Sequence, residues 1–242
     1  MMRTALVTGA AGGMGTAISA ALIEQGMRVV LVDRDEAALG ALSGRLGGQS
    51  FALVLDVTDA PRVDRLPELL PEEFRAIDVL VNNAGHDVGG RKRFDVGSAD
   101  DWADIVQTNL VGLMRVTRSL LPGMVSRNSG DIVNMGSISA LRMVPDMAPY
   151  SASKAGAHML TDIIRGELAD TGIRVTEILP GLTRTGIIKA RYRGDVEAEK
   201  KYFDQFGMAL DPEDVARAVM YALTQPRGVQ IAQIVILPSN RW

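Results

Sequence analysis

The chain of 242 residues has no cysteine and only two histidines, His86 and His158. The first absence excludes disulfides, a thiol nucleophile, iron–sulfur clusters and cysteine-ligated zinc. The second excludes a three-histidine metal site, and no H-E-x-x-H pair exists. No resident metal is expected. There is no G-x-S-x-G elbow and no P-loop; the nearest approach, Gly85 to Arg91, has arginine where lysine belongs. Neither sign of charge dominates. Lys+Arg number 26 against 29 Asp+Glu, a formal net charge of -3, so no global field recruits nucleic acid or an acidic membrane. The short basic run Arg91-Lys92-Arg93-Phe94 reads as a solvated loop rim. Long apolar runs are also missing. Thr4 to Ile23 is uncharged and follows Arg3, but four glycines and four Ser/Thr interrupt it. Strand, glycine turn and helix explain it better than a signal or a membrane span, and a cytoplasmic protein is expected.

What is present is an alternation. Apolar stretches of strand length occur at Thr4–Thr8, Arg28–Val32, Phe51–Val57, Asp78–Asn82, Asp131–Met135, Arg174–Leu179 and Ile234–Leu237. Their near-continuous apolar content suits parallel strands covered on both faces. Helical patterns lie between, at about Gly13–Gln25, Asp35–Leu46, Pro61–Leu70, Ala99–Ser126, Tyr150–Asp170 and Pro212–Thr224. Gly26 and Gly172 sit where glycine ends a helix. Asp211-Pro212-Glu213-Asp214 reads as a cap, a first-turn proline and an acidic third position. The alternation predicts an α/β class: a seven-stranded, parallel, doubly wound Rossmann sheet with helices on both faces and the ligand at the carboxyl ends of its strands. Residues 1–242 read as one nucleotide-binding domain, with no boundary visible. Two connections, Gly85–Ser98 and Gly181–Leu210, are long enough to be functional rims.

The segment Thr8-Gly9-Ala10-Ala11-Gly12-Gly13-Met14-Gly15 joins the first strand to the first helix. Glycine there lets the backbone turn sharply and approach a pyrophosphate, whose charge the helix N-terminal amides meet. The second strand ends at Asp33, where a carboxylate can bind ribose hydroxyls or cap the next helix. The third ends at Asp56-Val57, where Asp56 can meet an adenine amino group or act as a cap. The fourth runs into Asn82-Asn83-Ala84-Gly85, which suits a tight turn beside a cofactor.

Tyr150 and Lys154 are four apart at the start of a helical pattern and share a face. A tyrosine of ordinary pKa is a poor acid–base catalyst at neutral pH, and a nearby cation favours its phenolate. Ser137, thirteen residues earlier at a strand end, can hold a substrate oxygen; it can equally be a plain loop residue.

Together these motifs, with Asn109 and Pro180-Gly181, stand in the order and spacing of the short-chain dehydrogenase/reductase family, which the chain resembles over essentially its whole length. The resemblance implies a nicotinamide-dependent oxidoreductase. It makes Tyr150 the acid–base and gives Lys154 the tasks of lowering its pKa and binding the nicotinamide ribose. Ser137 orients the carbonyl, and Asn109 holds a water linking Lys154 to solvent. Gly9, Gly13, Met14, Gly15, Asp33, Arg34, Asp56, Val57, Asn82, Asn83, Ala84, Gly85, Gly181 and Thr183 are the further cofactor contacts it implies. Homotetramers are implied as well.

The last third, through Arg191-Tyr192-Arg193, Asp211-Pro212 and the tail Pro238-Ser239-Asn240-Arg241-Trp242, resembles the 3-hydroxy acid and serine dehydrogenase-like branch. That branch prefers NADP, whereas Asp33 repels a 2′-phosphate; NAD is expected, with NADP open through Arg34. The substrate expectation is a small alcohol or carbonyl compound such as a 3-hydroxy acid. Its anion would be held by Arg191 in the substrate loop at about 182–210. An uncharged polyol, diol or other secondary alcohol is the alternative, and a non-catalytic dinucleotide sensor the remote one.

Overall fold

The computed structural model describes residues 2–89 and 91–240, so Arg241 and Trp242 of the tail lie outside the described residues. Seven parallel strands form one sheet in the order β3-β2-β1-β4-β5-β6-β7. They are β1 Thr4–Thr8, β2 Arg28–Asp33, β3 Ser50–Val54, β4 Val79–Asn82, β5 Gly130–Met135, β6 Ile173–Pro180 and β7 Gln233–Ile236. The order reverses between β1 and β4, which opens a crevice at their carboxyl ends.

Both sheet faces are covered, which is why β1, β4, β5 and β6 are buried along their whole length. On one face α1 (Gly13–Glu24), α2 (Glu36–Leu46) and α9 (Pro212–Thr224) contribute Ile18, Leu22, Leu39, Leu42, Val215 and Val219 to a core against Val7, Leu31 and Val133. On the other, α3 (Ala60–Asp64), α5 (Leu113–Arg127) and α6 (Ala148–Glu167) bring Val63, Leu120, Met124 and Ile164 against Leu6, Leu80 and Val175. The cap of α2 is Asp35, which accepts from Ala38 N at 3.0 Å, and that of α3 is Asp59. Asp33 and Asp56 are therefore not needed as caps.

The structure corrects several sequence boundaries. The strand expected to reach Val57 ends at Val54, so Asp56 and Val57 lie beyond it. The helix expected over 61–70 stops at Asp64, and a 3-10 turn carrying Pro67 follows. The helix expected over 99–126 is α4 (Ala99–Val106), a wide π turn at Gln107–Gly112, and α5. Gly112 closes that turn against Val57, whose Cγ2 would lie 2.8 Å from an added Cβ. Gly172 does not end a helix; α6 stops at Glu167, and Gly172 packs on the Asn128 carbonyl. The connection after Gly181 holds two short helices, α7 (Gly186–Arg191) and α8 (Val196–Asp204).

Candidate active site

The glycine loop forms one wall of a cavity of about 340 Å³ at the carboxyl ends of β1, β2 and β4. Gly9 has φ +63, and an added Cβ would lie 2.9 Å from the Ala84 Cα. Thr8 and Asn83 hold the two turns together. The Thr8 hydroxyl accepts from Asn83 N and Ala84 N, both at 3.0 Å, and the Asn83 side chain donates to the carbonyls of Thr8 and Gly9, each at 3.0 Å. The cavity is lined by Gly9, Gly13, Met14, Asp33, Arg34, Asp56, Val57, Asn83, Ala84 and Gly85, ten of the residues singled out from the sequence.

Two others face elsewhere. Asn82 is buried between strands, donating to Thr117 Oγ1 at 2.9 Å and to Asn134 Oδ1 at 2.8 Å, so it braces β4 against β5 and α5. Gly15 lies behind the loop, where an added Cβ would strike the Gly9 carbonyl; it lets helix and strand pack and does not line this cavity. His86, Thr108, Thr185 and Ile187 also stand in the lining, and of these Thr108 and Ile187 carried no sequence signal. Thr185 is notable because its hydroxyl is buried with no partner and its methyl lies against Gly13. Glycines that leave room for a ligand, amides at the start of α1, and this orphaned hydroxyl fit a dinucleotide.

Asp33 is held firmly. Its Oδ2 accepts from Ala11 N at 2.9 Å and its Oδ1 from Asp35 N at 3.1 Å. Arg34 extends toward Asp56, 3.5 Å away, with 64% of its side chain exposed. Hydrogen bonds from Thr58 and the Arg34 charge hold the Asp56 carboxyl below its ordinary value against the opposing effect of burial. Burial also keeps His86 below the usual imidazole value.

A second cavity, of about 380 Å³, adjoins the first; Met14, Thr185 and Ile187 line both. Ser137 and Tyr150 stand in its wall, as do Gly181 and Thr183, which the sequence reading placed at the cofactor. Tyr150 is on the first turns of α6, and Lys154, one turn on, lies with its Nζ 5.9 Å from the phenol ring centre. The ammonium donates to the Met135 carbonyl at 2.7 Å and sits beside Gly85, 3.6 Å from where a Cβ would be. Burial pushes the Tyr150 phenol up to about 12, and the Ser137 hydrogen bond is the first effect pulling it down. Burial lowers Lys154 to about 8. Burial outweighs the Ser137 hydrogen bond and the Arg191 charge, the two effects that pull the phenol down.

Asn109 occupies the π turn and is buried. Its Oδ1 accepts from His86 N at 2.9 Å, and its Nδ2 donates to the His86 carbonyl at 3.0 Å and to Ser153 Oγ at 3.1 Å. This side chain braces the loop after β4 against α6. His158 meets Glu177 at 2.6 Å behind Lys154, a partner with no sequence signal. Arg191 does not pair with the acidic residues near it in sequence. Its Nε donates to Asp87 Oδ2 at 2.7 Å, and both side chains are 4% exposed. Arg193 is the surface residue, paired with Asp101. Among the described residues no group of His, Asp and Glu is arranged for a metal, and no helix is long and apolar enough to cross a membrane.

The comparisons with known proteins agree with this geometry. An uncharacterized oxidoreductase of Staphylococcus aureus is 35% identical over 237 residues, 98% of this chain and 97% of that protein. One from Staphylococcus saprophyticus is 36% identical over 242 residues, with 98% and 97% covered. The closed form of a serine dehydrogenase complexed with NADP+ superposes with a TM-score of 0.94 at 37% identity, covering 99% of this chain and 96% of that one. Serine dehydrogenase from Escherichia coli gives 0.86 at 34% identity, covering 99% of each chain. The family model described as short chain dehydrogenase matches residues 3–195, a span that takes in the glycine loop, Asn109, Ser137, Tyr150 and Lys154, and the chain belongs to that family of oxidoreductases.

Proposed function

We propose that the chain oxidises a small secondary alcohol bearing an anion, such as a 3-hydroxy acid, or reduces the corresponding carbonyl compound, with a nicotinamide dinucleotide as partner. One observation carries the reading: Ser137 and Tyr150 stand in a cavity that shares Met14, Thr185 and Ile187 with the glycine-lined one. The nicotinamide ring, when bound, accepts or donates the hydride. The chain's residues do the rest. The amides of the glycine loop and the start of α1 hold the pyrophosphate, Asp33 the adenosine ribose, and Lys154 the second ribose. Ser137 donates to the substrate oxygen, and Tyr150 moves the proton at that oxygen. The whole chain serves as one nucleotide-binding domain, with residues 182–210 as the substrate loop.

The anion is supported by the second cavity, whose lining holds Arg91, Arg142 and Arg191; Asp87, outside that lining, pairs with Arg191. NAD is the favoured dinucleotide. Two backbone amides pin the Asp33 carboxylate at the cavity wall, where it repels a 2′-phosphate, at a cost of about 1–3 kcal/mol at an effective dielectric near 20. NADP is the second reading, favoured by Arg34 and by the NADP+ in the serine dehydrogenase structure. The test is dinucleotide reduction with a panel of small hydroxy acids and neutral alcohols of matched size, run with NAD and with NADP. Higher kcat/KM for the acids and for NAD supports the reading. Preference for neutral alcohols removes the anion, and a tenfold advantage for NADP removes the Asp33 argument.

A further inference from the structure

Asp87 stands two residues past the Asn83-Ala84-Gly85 turn, and Arg191 ends α7, 104 residues later. Their ion pair joins the cofactor side of the site to the substrate loop. The guanidinium also lies over the Tyr202 ring of α8, 4.9 Å from its centre. Its plane and position are thus fixed on two sides, yet its Nη1 is buried without a partner. A buried ion pair is a weak stabiliser, since an apolar pair of the same volume often holds a fold as well or better. Arg191 lies in the wall of the cavity that holds Tyr150, and Asp87 stands outside that lining.

The lining around the phenol holds arginines and no carboxylate. Lys154 lies one turn along α6, Arg91 and Arg142 reach the cavity from the loops after β4 and β5, and Arg191 comes from α7. The Glu177 charge on β6 acts on Lys154, and Tyr202 stands in the lining. We propose that Asp87 is a positioning residue of the active site: it holds Arg191 in the cavity wall and cancels that arginine's charge at Tyr150. The inference rests on the reading of Tyr150 as the acid–base. It is consistent with the opposite directions in which the two charges push the phenol, Asp87 upward and Arg191 downward.

The test is the pH dependence of kcat/KM for oxidation of a neutral secondary alcohol, so that anion binding does not enter. Asp87→Asn leaves Arg191 uncompensated and moves the midpoint down; Arg191→Gln moves it up, each by roughly half a unit or more. The double variant returns toward the wild-type midpoint, and Arg191→Lys, which keeps the charge, stays near it. Ultraviolet phenolate absorbance of the dinucleotide-saturated protein, taken against Tyr150→Phe, gives the same midpoints without turnover. Opposed shifts that cancel support the proposal. Equal or like-signed shifts in the two single variants, with dinucleotide binding retained, overturn it. Absence of dinucleotide-dependent turnover in the wild-type chain overturns the functional reading instead, and shows before any variant is made.

Discussion

The Lys154 ammonium lies 5.9 Å from the centre of the Tyr150 ring, anchored by the Met135 carbonyl at 2.7 Å. Neighbouring turns of one helix thus set a cation beside a phenol in a site dry enough to move both groups from their ordinary values. For Lys154 the folded value, about 8, is below the ordinary 10.5. Burying its charge therefore costs stability below about pH 8, and that cost is relieved as pH rises from about 8 to 10.5. Unfolding free energy should rise across that window, and Lys154→Met should flatten the rise. Denaturant titrations at several pH values check this. Unaltered slopes in the variant would place the Lys154 charge in solvent.

Ser137→Ala removes the hydrogen bond that pulls the phenol down against burial. The alkaline midpoint for alcohol oxidation should rise, and kcat/KM should fall by about 10²-fold, as when one oriented donor is lost. Steady-state rates across pH measure both. Ser139, whose hydroxyl donates to Ser137 Oγ at 3.0 Å, serves as the control, because Ser139→Ala leaves the Ser137 donor in place and should cost far less.

Gly15→Ala sets a methyl group against the Gly9 carbonyl and the Ala10 Cα at the tightest point of the first turn. The cost should fall on folding as well as on dinucleotide affinity, by about 1–3 kcal/mol of stability. Gly44→Ala, in α2 with open space around it, should be neutral or stabilising. Thermal melts of the two variants separate the readings.

Much of this was legible in the sequence, for reasons that differ by residue. The strands could be read because both sheet faces are covered, so that Val29 to Val32 or Val79 to Val81 are apolar without a break. Gly9, Gly13, Tyr150 and Lys154 could be read because a sharp turn and a helical i to i+4 spacing are local. Asn82 misled because its neighbours, not its identity, turn it inward to Thr117 and Asn134. Asp87 gave no signal, since its partner is 104 residues away. The π turn around Asn109 was hidden within an otherwise continuous helical pattern.

Apolar surface available for self-association lies on α5 and α6. Leu113 and Leu160 face the protein, whereas Met114 on α5 and Met159 and Ile163 on α6 are exposed by 44%, 58% and 50%. Two such faces packed on each other would make a helix-on-helix interface, and a homotetramer is proposed. Light scattering should give about four times the 25.9 kDa chain mass, and Ile163→Lys should reduce it. A wild-type mass equal to one chain would remove the proposal.

Tyr150→Phe tests the central claim most directly. The ring is buried and its packing survives the loss of one oxygen, so folding and dinucleotide affinity should stay within about threefold of wild type, while turnover falls by at least about 10³-fold. Dinucleotide titration and steady-state kinetics on the same preparation give both quantities. Intact binding with lost turnover is the predicted result; turnover above about a tenth of wild type would show that another group moves the proton.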